Sequence, residues 1–286
     1  RLFYISSGCG FSFQRHLSDE NQNIIRGFSQ LEGMLQHFTF GTFLLKREPL
    51  SRLVNKVRAF RPDVILVFRG LRLPHSVVHQ LKTLRVPVGV WVVDDPYRLR
   101  THERMVKPYQ FVITQDSSFV SFYRRMGKPS IHLPLAVNPD KYRTNNDRGD
   151  NHKNLPAFTP NNRTFEIAAC RAFQLATCRR NLGKLYERDK EIVCFTNLRE
   201  LKRKINYYLQ HEEERKQIAE EAYLRTLRDH TYPVRLRYLV HRLHSLPVTG
   251  PMQLLPLVVA GGNSDTDRKT GGQKEATDHF SRVQRD

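Results

Sequence analysis

At 286 residues the chain has room for two domains and a sizeable core, and its 47 Lys and Arg against 28 Asp and Glu give a formal net charge of +19. That excess favours anionic partners such as nucleotide diphosphates, nucleic acid, acidic polymers or an anionic membrane surface. The basic residues are spread in small groups, Arg98/Arg100, Arg124-Arg125, Arg179-Arg180 and Lys202-Arg203-Lys204, which argues against a simple nucleic-acid arm.

Four cysteines, Cys9, Cys170, Cys178 and Cys194, lack C-x-x-C spacing and are too few for a disulfide framework, so a reducing, cytoplasmic setting fits. No apolar run reaches the roughly 18 residues of a membrane span, and residues 1–8 pattern as a strand rather than a signal peptide. The chain begins at Arg1 instead of Met, which implies residues before it.

From Leu2 to about Leu135 short apolar runs alternate with amphipathic stretches, the pattern of a parallel sheet covered by helices on both faces. Strands are predicted at Leu2–Ser6, Phe38–Leu45, Asp63–Phe68, Pro87–Val93, Phe111–Thr114 and Ser130–Leu133, and helices near Phe13–Leu35, Pro49–Phe60, Pro74–Leu84 and Ser117–Met126. Pro62, Pro87 and Pro129 each precede a strand, and Pro74 opens a helix where a missing N–H does no harm.

Ligands of such folds sit outside the carboxyl ends of the strands. The first strand runs into Ser6-Ser7-Gly8-Cys9-Gly10, a glycine turn that does not match G-x-G-x-x-G. The central strand ends at Asp94-Asp95 and the third at Arg69-Gly70, so two carboxylates and a cation are expected to project into one cleft, although either Asp also suits a turn cap.

Residues 1–142 read as a first Rossmann-like domain and 143–160, rich in Asn and Asp, as a linker or loop. In 161–246 strands are predicted at Phe173–Thr177 and Ile192–Phe195, with a turn near Asn181–Gly183 between them. Asn197 is placed to cap a helix over Leu198–Gln210, with Leu198, Leu201, Ile205 and Leu209 at helical spacing. A charged helix Glu212–Asp229 and a basic one from His230 to Leu243 follow, and 247–286 is too poor in apolar residues to order itself.

The segment from Asn161 to Leu175 carries the chemistry. Glu166 is read as opening a helix turn of small residues, Ala168, Ala169 and Cys170, that leads into a strand. A helix N-terminus offers N–H groups and partial positive charge to a diphosphate, and a nearby carboxylate accepts from ribose or sugar hydroxyls. Plain packing of that helix on a sheet accounts for the same residues equally well.

Together these phrases resemble the CgeB-type family of spore-maturation proteins, which are built like glycosyltransferases of the two-domain GT-B architecture. The phrases are Tyr4 to Gly8, Pro62 to Leu66, Gly89 to Pro96, the Leu135-to-Tyr142 exit, Arg163 to Cys170, and His230-Thr231-Tyr232. The resemblance implies an α/β fold of two Rossmann-like domains, with an acceptor on residues 1–142 and a nucleotide sugar on 161–246. The family usually carries Gly where this chain has Arg171, and a block of several dozen residues around Arg143-Thr144 is absent by comparison, leaving the second domain incomplete.

Transfer in this reading needs charge stabilisation of the departing diphosphate, for which Arg163, Arg171 and the amides from Thr164 to Ala169 are candidates, with Gly8 and Gly10 near the donor. An inverting reaction also needs a base, and Asp94, Asp95 or His16 are available; a retaining one does not. No cofactor beyond the nucleotide-sugar substrate is implied and no metal. The twelve histidines include no H-x-x-x-H beside a suitable carboxylate, and Asp94-Asp95 lacks D-x-D spacing. The acceptor is expected to be a spore-surface or cell-envelope glycan or protein. Two rivals stand beside the enzyme: an inactive spore-coat relative, and a basic protein binding nucleic acid or an anionic polymer. Nucleic acid is disfavoured because aromatic residues do not interleave with the basic groups.

Overall fold

Runs such as Val64-Ile65-Leu66-Val67-Phe68 are apolar at every position, and a strand of that kind is stable only with both faces covered. The computed structural model describes residues 1–7, 19–31, 33, 35–40, 50–93, 95, 98–141 and 162–247, and in it these runs form six parallel strands. They are β1 (Leu2–Ser7), β2 (Leu35–Phe40), β3 (Val64–Phe68), β4 (Val88–Val92), β5 (Phe111–Thr114) and β6 (Ser130–His132), in the order β2-β1-β3-β4-β5-β6. Every residue of β3, β4 and β5 is buried. The order reverses direction at β1, which pairs with both β2 and β3.

The period-two alternation of the strands divides the core into two layers. Phe3, Ile5, Ile65, Val67, Val88, Val90 and Val112 face one side, under α2 (Leu53–Phe60), α3 (His75–Lys82), α4 (Leu99–Met105) and α5 (Ser118–Arg125). Tyr4, Leu66, Phe68, Trp91, Phe111 and Ile113 face the other, under α1 (Asp19–Ser29) and α10 (Tyr232–His244). Gly89 sits at the closest approach within that second layer, where an added Cβ would lie 2.1 Å from the Phe111 ring.

Two boundaries differ from the sequence reading. Helix α1 stops at Ser29 and β2 begins at Leu35, because Gly33 at φ 144° turns the chain where the apolar pattern runs on. Helix α4 was not predicted: only His102 and Met105 of its seven residues are buried, so it has almost no apolar stripe.

Residues 162–247 add α6 (Asn162–Ala169), β7 (Leu175–Thr177), α7 (Leu182–Leu185), β8 (Val193–Phe195), α8 (Leu198–Gln210) and α9 (Glu212–Asp229) before α10. Here β7 and β8 pair in parallel, and among the described residues this second sheet has two strands, so the second Rossmann-like domain is incomplete. The predicted turn at Asn181–Gly183 is instead the start of α7, with Leu182 and Leu185 buried. Asn197 caps α8 as its sequence indicates, accepting from the Glu200 N–H at 2.9 Å, while the Glu200 carboxylate accepts from the Thr196 hydroxyl and N–H. The α8 stripe read as apolar scaffold does not face a core: Leu198 is 73% exposed and Leu209 66%, and in α8 only Tyr208 is buried. A sheet two strands wide leaves the rest of that face uncovered.

The two halves are stitched through the exit segment. The Val137 N–H donates to the His230 carbonyl and the Tyr232 N–H to the Val137 carbonyl, so the Leu135-to-Tyr142 phrase and the His230-Thr231-Tyr232 phrase pair with each other. Beyond that joint α10 lays Tyr232, Leu236, Leu239 and Leu243 on the first sheet beside α1.

Candidate functional site

The carboxyl edge of the first sheet carries several polar groups. Arg69, at the end of β3 and at φ 63°, extends its guanidinium to Glu20 at the start of α1, 2.7 Å away. The Tyr4 hydroxyl, on β1, donates to Asn21 Oδ1 at 2.6 Å. At the end of β5, Ser117 Oγ accepts from Asn181 at 2.9 Å, so α7 of the second half abuts this same edge.

Asp95 does not open into that edge. It is fully buried, its Oδ2 accepts from the Thr114 hydroxyl at 2.8 Å, both oxygens lie 3.1 Å from the Tyr123 hydroxyl, and Oδ1 is 2.8 Å from His102 Nδ1. Burial first, and then Asp95 itself, pushes the Tyr123 hydroxyl far above the usual phenol range. These four groups tie the end of β4 to α4, β5 and α5, which leaves the carboxylate no free side for an acceptor hydroxyl. The sequence shows Asp95 at a strand end but not that His102, Thr114 and Tyr123 converge on it. Asp94, His16, Gly8 and Gly10 lie outside the described residues.

In the second half Glu166 is the fifth residue of the eight in α6, so it does not open the helix. Its carboxylate is 15% exposed and accepts from Arg163 NH1 at 2.7 Å, one turn back on the same face. Thr164, Phe165, Ala168 and Ala169 form the opposite, buried face. The small residues let α6 pack on α9, and the amides that follow are spent inside the helix end, Cys170 N–H on the Glu166 carbonyl and Arg171 N–H on that of Ala168. Of the expected diphosphate cradle, the amides of Glu166 to Ala169 lie past the first turn of α6, where helix geometry pairs them internally, while those of Thr164 and Phe165 belong to the first turn. Arg163 and Glu166 remain together and partly exposed.

Arg171 turns away from that pair. It holds φ 54°, the left-handed conformation that glycine adopts freely, which explains the Gly common at this helix-ending position in the family it resembles. Its guanidinium stacks on Tyr223 at 4.2 Å and pairs with Glu220 at 3.4 Å, both on α9.

Behind α6 the His230 ring packs edge-on to Phe165 and Tyr186, with centroids 5.1 and 4.8 Å away. Among the described residues no three or more His, Cys, Asp or Glu side chains gather as a metal-ligand set, and no helix is long and apolar enough to cross a membrane.

Residues 135–241, from the exit segment into α10, match the family model described as glycosyl transferase-like. Over 118 residues the chain is 25% identical to the spore protein CgeB of Bacillus subtilis strain 168. Over these stretches the chain is similar to glycosyl transferase-like and CgeB-type proteins. The alignment takes in 41% of this chain but only 37% of that CgeB protein, a little over a third of its length.

The chain is also similar in fold to crystal structures of Anabaena HepE. The complex of HepE with UDP is 11% identical, with a TM-score of 0.56, and the match covers 86% of this chain and 100% of that one. The complex with UDP-glucose gives 10%, 0.56 and the same coverage. At such identities the likeness is one of fold, the GT-B arrangement. The segment that matches the glycosyl transferase-like model contains the Arg163–Glu166 pair and both strands of the small sheet, while Asp95 and Arg69 lie outside it.

Proposed function

We propose that this chain is a sugar transferase that takes a nucleotide-sugar donor beside α6 and an acceptor at the carboxyl edge of the six-stranded sheet. The observation that carries the reading is the Arg163–Glu166 pair, a partly exposed carboxylate and cation held on one helix face inside the glycosyl transferase-like segment. Glu166 accepts hydrogen bonds from the donor's ribose or sugar hydroxyls. Arg163, 43% exposed, moves to the diphosphate and carries its charge as the bond to the sugar breaks. Because HepE is described in complex with UDP and with UDP-glucose, a uridine nucleotide is the first donor to test.

No metal is required in this scheme, since a guanidinium supplies the positive charge. With Asp95 buried, an inverting reaction would draw its base from Asp94 or His16. The acceptor is a spore-surface or cell-envelope glycan or protein, and the protein works in the cytoplasm or at the spore coat. Residues 1–142 form the acceptor side, 143–160 the connection and 161–246 the donor side.

Titration calorimetry with UDP-, GDP-, dTDP- and CDP-sugars, on the chain and on Glu166→Ala, tests the reading. Saturable binding of one nucleotide class, lost in the variant, is expected; absence of binding to all four overturns it. A second reading, a relative that kept the fold and lost catalysis, is favoured by the two-stranded second sheet and by Arg171 at the left-handed position. Binding without transfer or hydrolysis of the sugar would select it.

A further inference from the structure

Helix α8 rests on the small sheet by one face and turns the other to solvent. Tyr208 packs on Phe173 with ring centroids 4.7 Å apart and Lys204 Nζ donates to the Cys194 carbonyl, so the covered face is the one that carries positions 204 and 208. At about 100° per residue, Leu198, Lys202, Ile205 and Leu209 form a single row along the helix, about a third of a turn from that face. All four are exposed, the three apolar side chains at 73%, 42% and 66%. Arg199 and Arg203, also exposed, come next to the row on the side away from the sheet. The carboxylate within α8, Glu200, is engaged by Thr196 and Lys204 at the covered side. Of the acids that open α9, Glu212 and Glu213 pair with Lys216, and Glu214 accepts from the Tyr207 hydroxyl, which stands on the flank opposite the row.

We infer that this face of α8 docks on the surface of an anionic lipid bilayer, with Leu198, Ile205 and Leu209 at the boundary of headgroups and acyl chains and Lys202, Arg199 and Arg203 against the lipid phosphates. A short apolar row beside a basic sector, on a helix already capped by Asn197, is the pattern of a helix that lies in a membrane interface. The place of Lys202 decides between occupants. It stands inside the apolar row, so a protein element covering the row would bury an ammonium, which is costly without a supplied carboxylate. At a bilayer the same side chain lays its methylenes along the apolar boundary and lifts its charge to the headgroups. Three apolar side chains also fall far short of the roughly 800 Å² that each partner of a stable protein complex contributes. A second copy would bring its own basic sector against this one, whereas the net charge of +19 draws the chain toward an anionic surface. The docking face uses neither Arg163 nor Glu166 and is independent of the transferase reading.

The full chain is sedimented with vesicles of phosphatidylcholine, with and without one-third phosphatidylglycerol, beside Leu198→Gln/Leu209→Gln, Lys202→Gln/Arg203→Gln and, as a control of equal charge loss on the exposed end of α5, Arg124→Gln/Arg125→Gln. Far-UV circular dichroism checks folding, which these exposed positions should not disturb. The expected result is binding to the anionic vesicles alone, weakened at least tenfold by either α8 pair and little changed by the α5 pair, since each cation at such a surface is worth about fivefold. Unchanged binding in either folded α8 pair overturns the inference, as does an equal loss in the α5 control, which would leave the charge of the whole chain as the cause. Absence of vesicle binding also overturns it, and a dimer in sedimentation velocity that the Leu198/Leu209 pair abolishes would give the face to a second copy instead. A chain that binds vesicles but no nucleotide sugar would sink the transferase reading alone.

Discussion

The guanidinium NH2 of Arg235 lies 2.6 Å from Nδ1 of His230, and Nε2 of the same ring lies 2.9 Å from the Leu185 carbonyl. Arg235 has only donors and the carbonyl only accepts, so the ring is neutral with its proton on Nε2. Burial, and next the Arg235 charge, hold His230 well below its ordinary 6.5. The link fixes α10 to α7 behind the Phe165 face of α6, which explains the place of a histidine in the His230-Thr231-Tyr232 phrase.

Acid should therefore loosen the fold before carboxylates titrate. The unfolded chain takes a proton on His230 below about 6.5 and the folded chain refuses it, so this contribution is complete above 6.5 and falls as pH drops, by about 1.4 kcal/mol per pH unit. His132, lowered to about 4 by burial and then by Arg235, adds the same slope between 6.5 and 4. Urea unfolding at pH 7.5, 6.5, 5.5 and 4.5 should show the decline, with a shallower slope in His132→Gln. A midpoint that stays level from pH 7.5 to 4.5 would contradict the neutral assignment.

Asp95 should prove to be an anchor for structure. Asp95→Ala leaves His102, Thr114 and Tyr123 without their shared acceptor and is expected to cost about 3 kcal/mol. If the folded variant binds nucleotide sugars and transfers as the parent does, the structural role stands. A variant of unaltered stability with turnover reduced 100-fold or more would make Asp95 a base after all.

Gly89→Ala should destabilise by about 2–3 kcal/mol, since its methyl would overlap the Phe111 ring within a packed sheet. Pairing it with Phe111→Leu should recover part of the loss by making room. Additive losses in denaturant unfolding would show that the contact is not the cause.

Arg171 sets a backbone cost against its own contacts. Arg171→Ala keeps the left-handed strain and loses the Tyr223 stack and the Glu220 pair, for an expected loss of about 1 kcal/mol. Arg171→Gly loses the same contacts but relieves about 1 kcal/mol of strain, so its thermal midpoint should lie close to the parent's and above that of the Ala variant. Nucleotide-sugar affinity should be the same in all three; a selective loss in both variants would return Arg171 to the donor site.

Much of the first sheet is legible in the sequence because buried parallel strands must be apolar throughout, and Val64 to Phe68 or Val88 to Val92 permit little else. Asn197 and Glu200 announce the start of α8 for an equally local reason, since a cap bonds to its own first turn. Helix α4 escapes notice because most of its side chains face solvent.

What the sequence by itself determined is what depends on neighbours along the chain: the apolar strands and the cap at Asn197. Only the tertiary structure decided that Asp95 is enclosed by His102, Thr114 and Tyr123, that the Arg171 side chain packs against α9, and that α10 returns to cover the first sheet. A carboxylate looks the same in sequence whether it meets water or three buried hydroxyl and ring partners, and those partners come from elements brought together only when the core packs.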